Sequence, residues 1–410
     1  MSRVNINIHR ISRTLLLLVF LLVPFMASAQ KKEIVAAEDQ IKTGKEAEIN
    51  KAMQSMEKLL KDSTYRQNKK VWSVLMTCLT KKYQIGNEAL YLKQKYDTAN
   101  IFSVTKKMFE VAQAFDTIDA MPDKKGKVKI EYRKNNSEML DRIRPNLYNG
   151  GVYFVGKHDY KNAYEYFNTY IDCTKSSLFR DMAYEQKDAK LPTAAYWAMF
   201  CGYKMKDTRK TLHHTYWALK DTVHYEHMLL YLSETYKADK DTSRYLSTLD
   251  EGFNKYRKNM YFYTRAIDYY AGERQYDKAM AYTQTLLKGD PSNQLGLYTK
   301  STIWLNTGKY QQCADLCDSI VARNDTLYGA YLNAGLAYFN MAVELDKNTQ
   351  KAKASKAKIT QYYNKAKPYL ERYRKARPSQ KDEWALPLYT IYLNLNMGKE
   401  FDEIDKILRK

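Results

Sequence analysis

The chain has 410 residues, a formal net charge of +21, 15 glycines, 8 prolines and 5 cysteines. So few helix breakers point to long helices joined by short turns, and five scattered cysteines (Cys78, Cys173, Cys201, Cys313 and Cys317) exclude a disulfide framework. The positive balance suits acidic proteins, lipid head groups or other polyanions as partners.

The chain opens on a basic stretch with Arg3, Arg10 and Arg13, an apolar run over 15–23 and a small-x-small site at Ala27-Ser28-Ala29. This reads as a cleaved secretory signal over residues 1–29, with Gln30 as the mature N-terminus. A retained anchor is the competing reading. No cysteine stands at the cleavage site, so lipoprotein attachment is not expected. The expected location is the periplasm or cell envelope, which argues against nucleic acid as a partner. The Gln after Ala-x-Ala resembles exported proteins of Bacteroidota. No later stretch is long and apolar enough to span a bilayer.

Residues 30–143 show helical spacing of apolar side chains, as at Met53, Met56 and Leu60 or Trp72, Leu75 and Leu79, and read as two or three irregular helical hairpins. The polar stretch 123–136 reads as a connector. Over 144–177 a sharper pattern begins: Leu147, Gly151 and Phe154, then Tyr160, Ala163 and Phe167. After an insertion at 178–191 the pattern recurs every 34 residues, with units starting at 192, 226, 260, 294 and 328. The unit at 260–293 is the plainest, with Tyr263, Tyr270, Tyr276, Ala279 and Leu286 at positions 4, 11, 17, 20 and 27 and Pro291 at 32. Small residues at positions 8 and 20 let two helices approach closely, and the large ones interlock around that contact. The unit at 226 carries a bulky Tyr245 at position 20, which predicts a splayed pair.

The 34-residue pattern resembles the tetratricopeptide repeat (TPR), and the signal suggests similarity to exported TPR proteins of Bacteroidota. The resemblance implies an all-α fold: a right-handed superhelical solenoid of antiparallel helix pairs. The array spans 192–340, a long basic helical hairpin at 341–381 completes the last full repeat, and capping helices follow at 382–410.

No Gly-rich phosphate loop, nucleophile elbow or His-Glu-x-x-His motif is present, and the expected activity is non-catalytic with no cofactor. His213, His214, His224 and His227 cluster in sequence; His224 and His227 stand at a ligand-compatible i, i+3 spacing, but no cysteine or known motif accompanies them, so they read as ordinary surface histidines and no metal is assigned. The resemblance implies a groove lined by the first helix of each repeat. Position by position it selects Tyr148, Asn149, Tyr196, Phe200, Tyr203, Tyr231, Arg265, Tyr298, Asn306 and Asn333. Packing between neighbouring helices is the alternative role for any of these aromatics. The Lys that accompanies the two-carboxylate clamp of chaperone-binding TPR proteins is missing in every unit. A second candidate is the basic hairpin, where Lys351, Lys358, Lys365 and Arg372 recur at intervals of seven. The expected function is a protein-interaction scaffold of the cell envelope. It holds a peptide or helix, acidic partners among the candidates, in a Tyr-rich groove. The alternative is a binding module for envelope glycan or anionic lipid, with peripheral membrane contact.

Overall fold

The computed structural model describes residues 31–123, 125–347 and 349–409 and, over 349–354, the backbone alone. The expected signal segment at 1–29 lies outside the described residues. Contacts divide the chain into two compact units that meet between Asp241 and Thr242. The first contains α1 (31–42), α2 (Glu46–Lys61), α3 (Lys69–Tyr91), α4 (Thr98–Asp119), α5 (Arg133–Ile143), α6 (Pro145–Gly156), α7 (Tyr160–Asp172), α8 (Tyr184–Lys187), α9 (Leu191–Lys204), α10 (Thr208–His213), α11 (Thr215–Ala218) and α12 (Tyr225–Ala238). The second contains α13 (Thr242–Lys255), α14 (Met260–Gly272), α15 (Tyr276–Gly289), α16 (Gln294–Asn306), α17 (Tyr310–Arg323), α18 (Tyr328–Asp346), α19 (Thr349–Ala376), α20 (Lys381–Asn394) and α21 (Gly398–Leu408). Among the described residues there is no strand, only one isolated bridge from Pro122 to Val128. The fold is all-α and TPR-like, each unit stacking successive helices in antiparallel pairs. None of the described helices is long and apolar enough to cross a membrane.

The repeat is written into the backbone as well as the side chains. Lys206, Lys240, Arg274 and Gly308 all have positive φ (54–75°) and follow one another at 34-residue intervals. Lys206, Arg274 and Gly308 each sit in the turn between the two helices of a pair, where one left-handed residue reverses the chain, and Lys240 lies just after α12. His158 reverses the chain in the same way between α6 and α7, and Asn396 between α20 and α21. Only Gly308 adopts this conformation without a side-chain penalty, which for other residues is about 1–2 kcal/mol. Helix starts are capped where the sequence allows it. Asp159, Asp207, Asn259 and Asn293 each accept a hydrogen bond from a backbone N–H one turn on.

Within a pair the helices touch at small residues. A Cβ on Gly202 would lie 2.4 Å from the backbone nitrogen of Thr211, and one on Gly335 would lie 2.6 Å from Leu370. Ala163, Ala279, Cys313 and Ala366 are fully buried on the facing helices. The abundant tyrosines fill the spaces around these contacts and satisfy their hydroxyls on carboxylates. Tyr338 and Tyr369 both donate to Asp318 (3.1 and 2.6 Å), Tyr282 donates to Asp250 and Tyr392 to Glu371. All five cysteines are buried and unpaired, and burial pushes Cys78, Cys173 and Cys201 up to about 12. They are core thiols.

The segment between α7 and α9 is compact. It consists of two short 3-10 turns (Cys173–Lys175 and Ser177–Met182) and α8. Arg144, at the α5–α6 junction, holds it. Its guanidinium carbon lies 3.7 Å from the Tyr170 ring centre and 3.8 Å from that of Tyr184. Nη1 donates to Asp188 at 2.7 Å and Nη2 to the Tyr170 carbonyl at 3.0 Å. Tyr170 donates to the same Asp188 oxygen and Tyr184 donates to Asp141. Upstream, buried Asp116 binds Arg133 through both oxygens and accepts from Ser177, while buried Asp119 takes Lys69 and the backbone N–H groups of Glu131 and Tyr132. The polar connector after α4 is therefore fastened by two buried carboxylates. The unit boundary falls inside the repeat that carries Tyr245 at its small-residue position. Tyr245 is itself buried, with its ring edge against Tyr269.

The turn residues yield a paired prediction. Arg274→Gly should stabilise the second unit by about 0.5–1 kcal/mol, because the left-handed penalty exceeds the added chain entropy. Gly308→Ala, which has open space around its Cβ, should destabilise it by about 1 kcal/mol. Urea midpoints moving in the same direction for both variants would contradict this.

Candidate functional site

Three first-of-pair helices in the first unit, α6, α9 and α12, share a run of aromatic side chains. The pattern follows from the repeat, because each helix presents successive turns of one face to its neighbour. Tyr148 on α6 lies edge-on to Phe167 at 5.6 Å between centroids, and Phe167 stacks on Trp197 of α9 at 6.5 Å. Trp197 meets Phe200 at 5.5 Å, Phe200 meets Tyr231 of α12 at 5.8 Å, and Tyr231 stacks on Tyr203 at 4.5 Å. Tyr160 caps the Phe200 edge at 5.8 Å. Tyr148, Trp197, Phe200, Tyr203 and Tyr231 are each half-buried, so one side of the run is packed and the other is open. Lys190 lies over the Tyr148 ring and Lys204 over Phe200, at 5.4 Å each.

Five of the sequence-selected residues thus come together: Tyr148, Tyr196, Phe200, Tyr203 and Tyr231. Asn149 is exposed on α6 beside them. Tyr196 supports the surface from below, being buried, with its hydroxyl bonded to that of Tyr231. Burial raises both phenols above their ordinary range, so they act as neutral hydrogen-bonding groups. The remaining selections lie in the second unit. Arg265 sits over Tyr261 at 5.4 Å, half-buried Tyr298 packs on Gly329, and exposed Asn306 turns its amide back to the Thr302 carbonyl at 2.8 Å. Asn333 departs from the groove assignment. It is buried, and its amide donates to Ser301 at 2.9 Å and Thr302 at 2.8 Å, joining α18 to α16. On the hairpin, Lys358 and Lys365 lie over Tyr362 and Tyr338, and Arg372 reaches Asp325 at 4.0 Å. The Lys351 side chain lies outside the described residues.

The histidine cluster resolves into packing roles. His224 lies flat on Tyr196, with centroids 4.1 Å apart and planes at 9°. Its Nδ1 is 2.9 Å from Asp221, which also accepts the His224 and Val223 backbone N–H groups. Burial alone would raise Asp221, but the hydrogen bonds from His224 and Thr193 hold it below the usual carboxylate range. His224 therefore belongs to the aromatic surface. Its place in the histidine cluster was visible in the sequence, but its stacking was not. Trp197 on α9 and Tyr160 at the start of α7 complete that surface. His213 and His214 are adjacent in sequence but do not share one continuous helix. The helix breaks at His214 into α10 and α11, because the His214 ring turns inward to meet Asn168 at 2.9 Å. Burial, with His213 and Lys175 nearby, lowers His214 to about 3. Among the described residues no group of three or more His, Cys, Asp or Glu side chains is placed to hold a metal ion.

Next to the aromatic run a cavity of about 420 Å³ opens between α9, α10 and α12, lined by Tyr203, Lys204, Lys206, Thr208, Glu234 and Thr235. Such a surface can bury apolar side chains flat against rings and receive an acidic group at the two lysines.

No family model and no curated protein matches the chain. Among solved structures it is similar to the C-terminal part of a TPR repeat-containing protein from Cytophaga hutchinsonii. That match has 13% identity and a TM-score of 0.45, covering 63% of this chain and 93% of that one. It is also similar to the TPR domain of P58(IPK), with 11% identity and a TM-score of 0.30, covering 90% of this chain and 98% of that one.

His214 generates a pH prediction. Its folded value lies below the ordinary 6.5, so the unfolded chain binds the extra proton between those two values. This contribution to stability is complete above about 6.5 and is lost as pH falls toward about 3, by at most about 1.4 kcal/mol per pH unit. Acid unfolding of the first unit should be shallower in His214→Gln. An unchanged pH slope would contradict it.

Proposed function

We propose that this chain is a non-catalytic protein-interaction scaffold that holds a peptide or helix against the aromatic face of α6, α9 and α12. The observation that carries this reading is the half-buried run of Trp197, Phe200, Tyr231 and Tyr203, which buried Phe167 backs and links to half-buried Tyr148. Large rigid rings give contact area at low entropic cost, and rings already packed on one side are pre-organised for a partner on the other. Lys190, Lys204 and Lys206 at the margin favour an acidic segment. Asn149 is placed to bond an extended backbone. We read residues 1–29 as a secretory signal, which puts the site in the periplasm or cell envelope without a lipid anchor.

The test is photo-crosslinking from Phe200 and Asn149 in cells, identification of the captured partner, and affinity measurement with purified components. Phe200→Ala and Tyr203→Ala should each weaken binding by about 2 kcal/mol or more, a factor of about 30. Tyr216→Ala, on an exposed residue outside the run, should leave it unchanged. Equal affinity for all three variants, or capture of a glycan in place of a protein, would contradict the proposal.

A further inference from the structure

α18 and α19 are 19 and 28 residues long and form the longest antiparallel hairpin of the second unit. The inner side of α19 is core: Ile359, Tyr363, Ala366, Leu370 and Tyr373 are buried. Its outer side exposes Lys358, Gln361, Lys365, Pro368, Arg372 and Lys375. These positions are three or four residues apart and lie along one helix face, about 26 Å from end to end. The row contains no carboxylate. Glu371, beside it in sequence, points away and accepts from Tyr392 at 3.0 Å, and Glu403 is taken by Arg374. Among the described residues, Lys358, Lys365 and Lys375 have no carboxylate within ion-pair reach, and Arg372 has only the exposed Asp325 at 4.0 Å. Tyrosine rings support two of the cations from beneath, at 5.7 Å for Lys358 and 5.2 Å for Lys365.

We propose that this face of α19 docks peripherally on an anionic phospholipid surface. Charge complementarity requires an anionic occupant. The row also lacks what a protein interface relies on, since no large apolar side chain is exposed on the described part of α19, and stable protein contacts centre on aromatic or apolar anchors. A plane of phosphate head groups needs no anchor. A straight row of cations meets it all at once, and the attraction adds up cation by cation within a Debye length. The face is separate from the aromatic run of the first unit, so either proposal can fail alone.

The test is co-sedimentation of the chain from residue 30 onward, which contains every described helix, with phosphatidylglycerol-containing and pure phosphatidylcholine vesicles at low and high salt. The chain should bind only the anionic vesicles and should be released by salt. K358Q/K365Q/R372Q/K375Q should weaken binding about fivefold per cation removed, at least about a hundredfold together. A control with the exposed Lys61, Lys81, Lys95 and Lys187 changed to Gln removes the same charge and should keep its binding. Equal loss in the control, no retention at low salt, or tighter binding to immobilised polyglutamate than to the anionic vesicles would overturn the proposal. If the fourfold variant does not fold, the lipid and salt dependence of the unaltered chain still decides.

Discussion

Arg144 lies between the rings of Tyr170 and Tyr184 and binds Asp188, so the chain that leaves α7 must return to it before α9 can begin. That return sets where α9 packs on α7, and therefore how Trp197 and Phe200 meet Phe167 and Tyr160. The arrangement has a cost, since Arg144 Nε is buried with no hydrogen-bond partner among the described residues. Stacking on two rings, the half-buried Asp188 carboxylate and a backbone carbonyl offset it. Removing the charge alone would strand Asp188, and breaking a buried pair from one side costs about 3–5 kcal/mol.

The helix pairs were legible because their constraints are local and periodic. A small residue where two backbones meet, and bulky residues around it, leave the same marks every 34 residues. The left-handed turn residues repeat on that period too, yet their identities (Lys206, Lys240, Arg274 and Gly308) share no side-chain signature, so only the backbone reveals them. Arg144 was opaque for the opposite reason. Its partners lie 26 to 44 residues away, Tyr170 near the end of α7 and Tyr184 and Asp188 in an insertion with no period, and nothing about one arginine at the start of a repeat signals a double ring stack.

The candidate site was half legible. The resemblance selects Tyr148, Phe200, Tyr203 and Tyr231; Phe200, Tyr203 and Tyr231 touch one another, and Tyr148 joins them through Phe167 and Trp197. The resemblance does not predict which members of a face are covered. Asn333 occupies the same repeat position as the exposed Asn149, but α16 packs against α18 and puts Ser301 and Thr302 within reach of its amide. His224 shows the reverse case: a residue type that suggested ligation serves as a flat ring because Asp221 orients it against Tyr196. Chemistry read from residue type alone misassigns such positions. The neighbours each helix packs against settle which atoms are free.

The most direct measurement of the Arg144 constraint is hydrogen–deuterium exchange on Arg144→Met, which keeps the apolar stem and removes the charge, compared with the unaltered chain. Amides over 177–190 and in the first turns of α9 should lose protection, while α14 to α17 in the second unit should keep theirs and serve as the internal standard. Unchanged protection over 177–204 would contradict the claim that this residue holds the aromatic face together.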